Sequence, residues 1–232
     1  MNDLVPVIVQ ARTGSQRCPA KVMRTVAGRR LIDYTLDALE HCRVARPLIV
    51  ATSDDPLDDQ LAAHCAARGV PVVRGPLHNV AARFGVVLDR FPVKAFVRVS
   101  GDSPLIDRRL VDRAVELYRE GGADLVTNVY PRSFPKGQSV EVIDAAVFRA
   151  ALAGMDHPSD QEHVTPFFYA RPERYRIRNI EAETPAGDVS MVVDTEEDFR
   201  RFREVAHRLQ APAWRFRWTD LAPELGSGQG RG

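Results

Sequence analysis

Residues 7–23 read VIVQARTGSQRCPAKVM, and the rest of the chain is organised around this stretch. Val7, Ile8 and Val9 form an unbroken apolar run, as in a strand buried on both faces. The chain then turns polar and cationic through Gln10, Arg12, Thr13, Gly14, Ser15, Gln16 and Arg17, with Lys21 following Pro19. A strand that ends in such a loop suits a polyphosphate. Backbone N–H groups form an anion-binding concavity, and the cations add charge-assisted hydrogen bonds. A plain solvated loop has the same composition, so the flanking sequence must decide between the two readings.

Moving outward, apolar residues at helical spacing (Leu31, Ile32, Leu36, Leu39) predict a helix over 30–44. A buried strand follows at 48–52, and Ser53-Asp54-Asp55-Pro56 is a turn and helix-start signal. An Ala-rich helix over 57–68 ends at Gly69, a plausible C-terminal cap. A strand at 70–73, a helix at 80–91 and a strand at 95–100 complete the pattern. Strand alternating with helix is the grammar of an α/β fold: a Rossmann-like, mostly parallel twisted sheet with helices on both faces. Ligands bind beyond the carboxyl ends of such strands, which brings loops 10–20, 52–56 and 101–107 together.

The second half is less regular. It predicts a helix over 109–120, strands at 124–129, 139–143, 175–180 and 189–193, and helices over 145–153 and 195–209. A further helix begins at His157 and carries Glu162, His163 and the aromatic run Phe167-Phe168-Tyr169. Trp214-Arg215-Phe216-Arg217-Trp218 alternates like an edge strand, and the Gly/Ser-rich end, 226–232, is expected to be disordered. The organisation expected is one domain over 1–209, with an extension over 210–232.

Net charge is +1, from 32 Lys plus Arg against 31 Asp plus Glu, which argues against a general nucleic-acid or membrane-surface protein. No apolar run approaches the roughly 20 residues that span a bilayer, and no signal peptide is visible. The three cysteines, Cys18, Cys42 and Cys65, have no CxxC spacing, so neither a disulfide framework nor a zinc site is expected. A reducing, cytoplasmic setting fits. Cys18 lies in the opening loop, but no histidine partner is identifiable, so it reads as a packing residue.

Two further stretches carry chemistry. In Val99-Ser100-Gly101-Asp102-Ser103-Pro104-Leu105-Ile106-Asp107, Asp102 sits at the carboxyl end of a predicted strand, where a Mg²⁺–nucleotide site needs a carboxylate. Gly101 would let a ligand approach the backbone. Asp107 is better placed than Asp102 to cap the next helix. In Val193-Asp194-Thr195-Glu196-Glu197-Asp198, either Asp194 or Thr195 fits a helix N-cap, and spacing alone favours capping for Asp194.

The set Gln-Ala-Arg-x-Gly-Ser-x-Arg-x-Pro-x-Lys at 10–21, Val-Ala-Thr-Ser at 50–53, Arg-Gly at 74–75, Arg-Val-Ser-Gly-Asp-Ser-Pro-Leu-Ile-Asp at 98–107, Ser-Val-Glu-Val at 139–142, Glu-His-Val-Thr-Pro at 162–166 and Val-Asp-Thr-Glu-Glu-Asp at 193–198 resembles the cytidylyltransferase superfamily. Its SpsF-like spore-coat polysaccharide branch, related to the acylneuraminate and Kdo cytidylyltransferases, is the group most resembled, over about residues 5–208. The resemblance implies a nucleotide-diphospho-sugar transferase, glycosyltransferase-A-like architecture. It also implies a CTP-dependent activity that makes the CMP derivative of an acidic or amino sugar, with Mg²⁺ as cofactor. On this reading Arg12, Lys21 and Asp102 are catalytic. Ala11, Arg12, Gly14, Ser15, Arg17, Lys21, Thr52, Arg74, Gly75, Ser100 and Asp102 bind nucleotide. Asp102 and Asp194 hold the metal, and Glu141, Glu162 and His163 face the acceptor. Relatives suggest a homodimer, with an insertion around 130–180 serving acceptor or dimer contacts.

Two positions depart from the pattern. Ala20 stands where relatives commonly have Gly, which would strain the loop if that position needs positive φ. Asn79 replaces an acidic residue in the run before Arg83-Phe84. Use of another NTP, a phosphorylated or phosphonate acceptor, and a non-catalytic nucleotide-binding role all remain open at this level.

Overall fold

A computed structural model describes residues 4–226. The order in chain sequence is β1 (Val5–Gln10), β2 (Thr25–Val26), β3 (Arg29–Arg30), α1 (Leu31–Glu40), β4 (Ala45–Ser53), α2 (Asp59–Ala67), β5 (Val72–Gly75), α3 (Val80–Arg90), β6 (Ala95–Ser100), α4 (Arg108–Arg119), β7 (Leu125–Thr127), β8 (Glu141–Asp144), α5 (Ala145–Leu152), α6 (Pro158–His163), α7 (Pro166–Tyr169), β9 (Ile177–Asn179), α8 (Glu196–Arg208) and α9 (Trp218–Gly226). Short 3-10 turns lie at Lys21–Met23, Pro56–Asp58 and Ala213–Arg215. No helix among the described residues is long and apolar enough to cross a membrane.

Seven strands form one sheet in the order β5-β4-β1-β6-β8-β7-β9, with β2 and β3 in a separate ribbon. Only β8 runs against its neighbours, pairing antiparallel with β6 and β7. The chain goes outward from β1 to β4 and β5, then returns to lay β6 on the other side of β1. That reversal between β1 and β6 is a topological switch point, where the crevice of an α/β sheet opens. Gln10 and Ser100 are register partners there, so both strands end level.

Alternation along the strands fills both faces. Val7, Val9, Val97 and Val99 pack into the cluster under α1, α4 and α8, while Ile8, Ile49 and Phe96 join Phe84 and Phe148 under α3 and α5. Residues 130–180, expected to be an insertion, include β8 and β9 of this same sheet.

Several local expectations are revised. Residues 189–193 form no strand beyond an isolated bridge between Lys136 and Ser190, and only Met191 and Val193 are buried: Met191 N–H donates to Lys136 O (2.8 Å) and Val193 N–H to Asp102 O (2.9 Å). The helix expected from His157 through Tyr169 breaks at Val164, whose φ of 68° is strained for a β-branched residue. There Thr165 N–H donates to His163 O (2.8 Å), closing a γ-turn between α6 and α7. The tail at 214–218 is no edge strand. Trp214 stacks on His41 with ring centroids 3.6 Å apart, Trp218 packs edge-on against Phe134, and α9 follows. Of the Gly/Ser-rich end expected to be disordered, residues 227–232 lie outside the described residues.

Candidate active site

The crevice at the switch point is a cleft of about 780 Å³, within the range of small-molecule sites. Residues 10–17 of the basic loop line it together with Lys21. Ser100, Asp102 and Asp194 also line it, as do Asp58, Leu77, His78, Arg83, Glu162 and His163.

Lys21 is the hub. It is only 6% exposed, and its Nζ lies 3.0 Å from Asp102 Oδ2 and 3.1 Å from Asp194 Oδ1. Arg17 pairs with the other Asp194 oxygen. Arg12 reaches across the cleft to Glu162 Oε1 (2.7 Å). Each of these loop cations is therefore held by a carboxylate from a distant segment.

Local rules explain how these carboxylates are presented. Asp107 caps α4 by accepting from Arg109 N–H (3.0 Å), which leaves Asp102 for the cleft. Thr195, not Asp194, caps α8, in a capping box with Asp198. Asp194 is thus free to meet Lys21 and Arg17. Val193 N–H donating to Asp102 O ties the two acidic loops together.

The basic loop is anchored by a residue that sequence reading missed. Asp58, 1% exposed, accepts from Thr13 N–H and Thr13 Oγ1 (both 2.7 Å), and from Ser53 N–H and Oγ on its other oxygen. Burial pushes the Asp58 carboxyl up, but these hydrogen bonds more than reverse that, and it sits below the usual carboxylate range. In the sequence Asp58 is one acid in an Asp-rich turn, with nothing to set it apart.

Ala20 adopts the left-handed conformation, φ 50° and ψ 24°. The position does call for positive φ, and Ala meets it at a strain of roughly 1–2 kcal/mol. Gly14 has no positive φ, and a Cβ built there would meet nothing within 4 Å, so its backbone faces open cleft. Gly101 serves a different purpose from the one expected. A Cβ there would come within 2.8 Å of both Ala11 Cβ and Ile32 Cδ1, so its smallness lets two loops touch rather than admitting a ligand.

Ala11, Arg12, Gly14, Ser15, Arg17, Lys21, Ser100, Asp102, Asp194, Glu162 and His163 all line the cleft. Thr52, Arg74, Gly75 and Glu141 do not. Thr52 is fully buried. Arg74 donates to Ser53 O (2.8 Å) and Asp55 O (2.9 Å), bracing the turn behind the site. Gly75 backs against Arg83. Glu141 is 3% exposed and paired with Arg98. Cys18 is buried beside Arg24, and burial first of all raises its thiol, which fits packing rather than nucleophilic chemistry.

As for a metal, no group of three or more His, Cys, Asp or Glu side chains converges as a cage among the described residues. Asp102 and Asp194 instead bring two carboxylates from separate loops to one point. That donor set fits a hard divalent ion that takes its remaining ligands from phosphate oxygens and water.

Comparison with known proteins agrees with this architecture. A model of the cytidylyltransferase family matches residues 6–213. The chain is 32% identical over 211 residues to the spore coat polysaccharide biosynthesis protein SpsF of Bacillus subtilis (strain 168), covering 88% of this chain and 86% of that one. It is 26% identical over 141 residues to 3-deoxy-manno-octulosonate cytidylyltransferase of Bdellovibrio bacteriovorus, 60% of this chain and 56% of that enzyme. The solved structure of a cytidylyltransferase from Leptospira borgpetersenii shares the fold, with a TM-score of 0.90 over 98% of both chains at 23% identity. A family match running from the first strand past α8, laid over a cleft whose basic loop meets the carboxylates of Asp102 and Asp194, makes this chain a nucleotidyltransferase, and it belongs to the cytidylyltransferase family.

Proposed function

We propose that the protein transfers CMP from CTP to a hydroxyl of an acidic or amino sugar of the nonulosonic-acid or Kdo type, releasing pyrophosphate, for surface polysaccharide synthesis in the cytoplasm. The observation that carries this reading is the convergence of Arg12, Arg17 and Lys21 on one loop with Asp102 and Asp194 opposite. The relatedness to SpsF and to 3-deoxy-manno-octulosonate cytidylyltransferase supports the sugar class.

In the reaction the acceptor oxygen attacks the α-phosphorus, the bond from that phosphorus to the β-phosphate bridging oxygen breaks, and the hydroxyl proton is released. Little covalent chemistry falls to the protein, so its work is positioning and charge stabilisation. Lys21, Arg12 and Arg17 neutralise charge that builds on the departing pyrophosphate. Ala11, Gly14 and Ser15 offer backbone and hydroxyl groups to the phosphates, with Ser100 beside Asp102. Thr52, Arg74 and Gly75 act from behind by fixing the turn that carries Asp58. Glu162 and His163 face the acceptor. Mg²⁺ held by Asp102 and Asp194 would supply charge neutralisation and polarise the α-phosphate. A homodimer is the assembly proposed.

Incubation with each NTP, Mg²⁺ and a panel of sugars, read by pyrophosphate release and product mass spectrometry, tests this. CMP-sugar formation with CTP is expected. Product formed only with another NTP, or no Mg²⁺-dependent CTP binding by calorimetry, would overturn it. Light scattering of the purified chain tests the dimer.

A further inference from the structure

A second concavity, of about 350 Å³, lies outside the cleft and shares none of its lining residues. That volume is at the small end of the range for small-molecule sites, so it suits a ligand of monosaccharide size. Its walls come from separate segments. Helix α4 supplies Arg109 and Arg113, the tail supplies Arg217 and Trp218, and the stretch after β9 supplies Glu181 and Glu183. The family match ends at residue 213, so the tail wall lies beyond it. The walls are fixed by bonds made behind the groove. Arg109 Nη1 donates to Asp107 Oδ1 and Phe216 O (both 3.0 Å), and its Nη2 to Arg215 O (2.9 Å). Trp218 N–H donates to Asp107 Oδ2 (3.2 Å), which completes the attachment of the tail to α4. Ala182 N–H donates to Ser133 Oγ (2.8 Å), tying the acidic wall to the loop that carries Phe134. Buried Phe134 lies edge-on to Trp218, with ring centroids 5.6 Å apart.

The charged tips are left over. Arg113, Arg217, Glu181 and Glu183 are exposed, and none of these four side chains makes a hydrogen bond or ion pair among the described residues. Their neighbours on α4 are engaged, Arg108 with Asp112 and Arg109 with Asp107. A guanidinium only donates and a carboxylate only accepts, so the two kinds of tip ask for different partners. Two free guanidiniums fit an anion, and two free carboxylates fit hydroxyl donors. A bare anion would satisfy the arginines and be opposed by the glutamates. A cation would meet the reverse. A hydroxyl-bearing ring with one anionic group satisfies all four, and its apolar face can lie on the half-buried indole of Trp218.

We propose that this groove is a second, non-catalytic binding site for an anionic monosaccharide. Arg113 and Arg217 take the anion, a carboxylate or a phosphate monoester, Glu181 and Glu183 take the hydroxyls, and Trp218 takes the ring face. The site is independent of the transfer reaction proposed for the cleft, since none of its residues lines the cleft.

Calorimetry on the full chain tests this, with glucose 6-phosphate, N-acetylneuraminate, glucose and inorganic phosphate titrated into wild type, Arg113→Gln and Glu183→Gln. Both variants alter exposed side chains outside the cleft, so CTP binding, measured alongside, should stay within about twofold of wild type. At least one of the two anionic sugars is expected to bind wild type, more tightly than glucose or inorganic phosphate does. Each variant should weaken that binding at least about fivefold. Binding of glucose 6-phosphate alone assigns the anion as a phosphate monoester, of N-acetylneuraminate alone as a carboxylate, and of both as either. The site is overturned if neither sugar binds, if inorganic phosphate binds as tightly as the sugars, or if either variant binds as wild type does. N-acetylneuraminate held with undiminished affinity by both variants belongs to the cleft and counts against the groove. Equal losses for CTP and for the sugar also overturn it, because the substitutions would then act through the fold.

Discussion

The two sides of the cleft are built differently. The basic-loop side hangs from strand ends: Gln10 and Ser100 are in register, and Lys21 is fixed between carboxylates of two loops that are themselves bonded together. The opposite side rests on α6, six residues long, which ends at a strained γ-turn and reaches the basic loop through the partly exposed Arg12–Glu162 pair. On the function proposed above, the more heavily bonded side would take CTP and the lighter side the acceptor.

Substitutions can break this contrast or sharpen it. The largest effect is expected on the rigid side. Asp102→Asn should lower turnover by roughly 10²–10³-fold, in line with removal of a charge that acts on the transition state. Its thermal midpoint should stay near wild type; wild-type turnover in this variant would remove Asp102 from the chemistry. Asp58→Ala orphans the donors of Thr13 and Ser53, so a loss of about 1–3 kcal/mol in chemical denaturation is expected, with a higher KM for CTP.

Asp58 and Asp33 also set an acid limit. Burial raises both carboxyls, and hydrogen bonds (from Ser53 and Thr13 to Asp58, from His64 and Arg68 to Asp33) bring them below the usual range. A folded pKa that is depressed gives stability present above the unfolded value, about 3.9, and lost as pH falls through the folded value. Below about pH 4 the unfolding free energy should therefore fall, and more shallowly in Asp58→Asn than in wild type.

Ala20→Gly relieves a left-handed alanine and should stabilise the protein by about 1 kcal/mol, with CTP affinity equal or better; a loss of stability would mean that the loop does not hold that conformation. The smallest change is expected on the lighter side. Glu162→Gln removes the carboxylate that competes for Arg12, and a pair so exposed is worth about 0.2–1 kcal/mol. CTP should bind up to about fivefold tighter by calorimetry, while acceptor KM rises.

The same contrast governs what could be read from the chain. The β1 loop, the Asp107 cap and the alternating strands are set by neighbours in sequence, and their patterns are local. Asp194 was ambiguous because Thr195 beside it is an equally good cap, and only the packing of the 193–198 turn onto Asp102 and Lys21 separates them. Residues 189–193 look like a strand because they are mostly apolar, but their partners come from 102 and 136, which no periodicity can announce. Arg98 and Glu141 are ordinary strand residues until β6 and β8 are laid side by side, where they become register partners.

Gly101 carries one more consequence. The gap between the basic loop and the loop that presents Asp102 is set by the absence of a single methyl group. Ala at 101 would act as a wedge at the root of the cleft, moving one wall away from the other without touching any charged residue. The spacing between the basic loop and the Asp102 carboxylate is thus gauged by an atom that is not there.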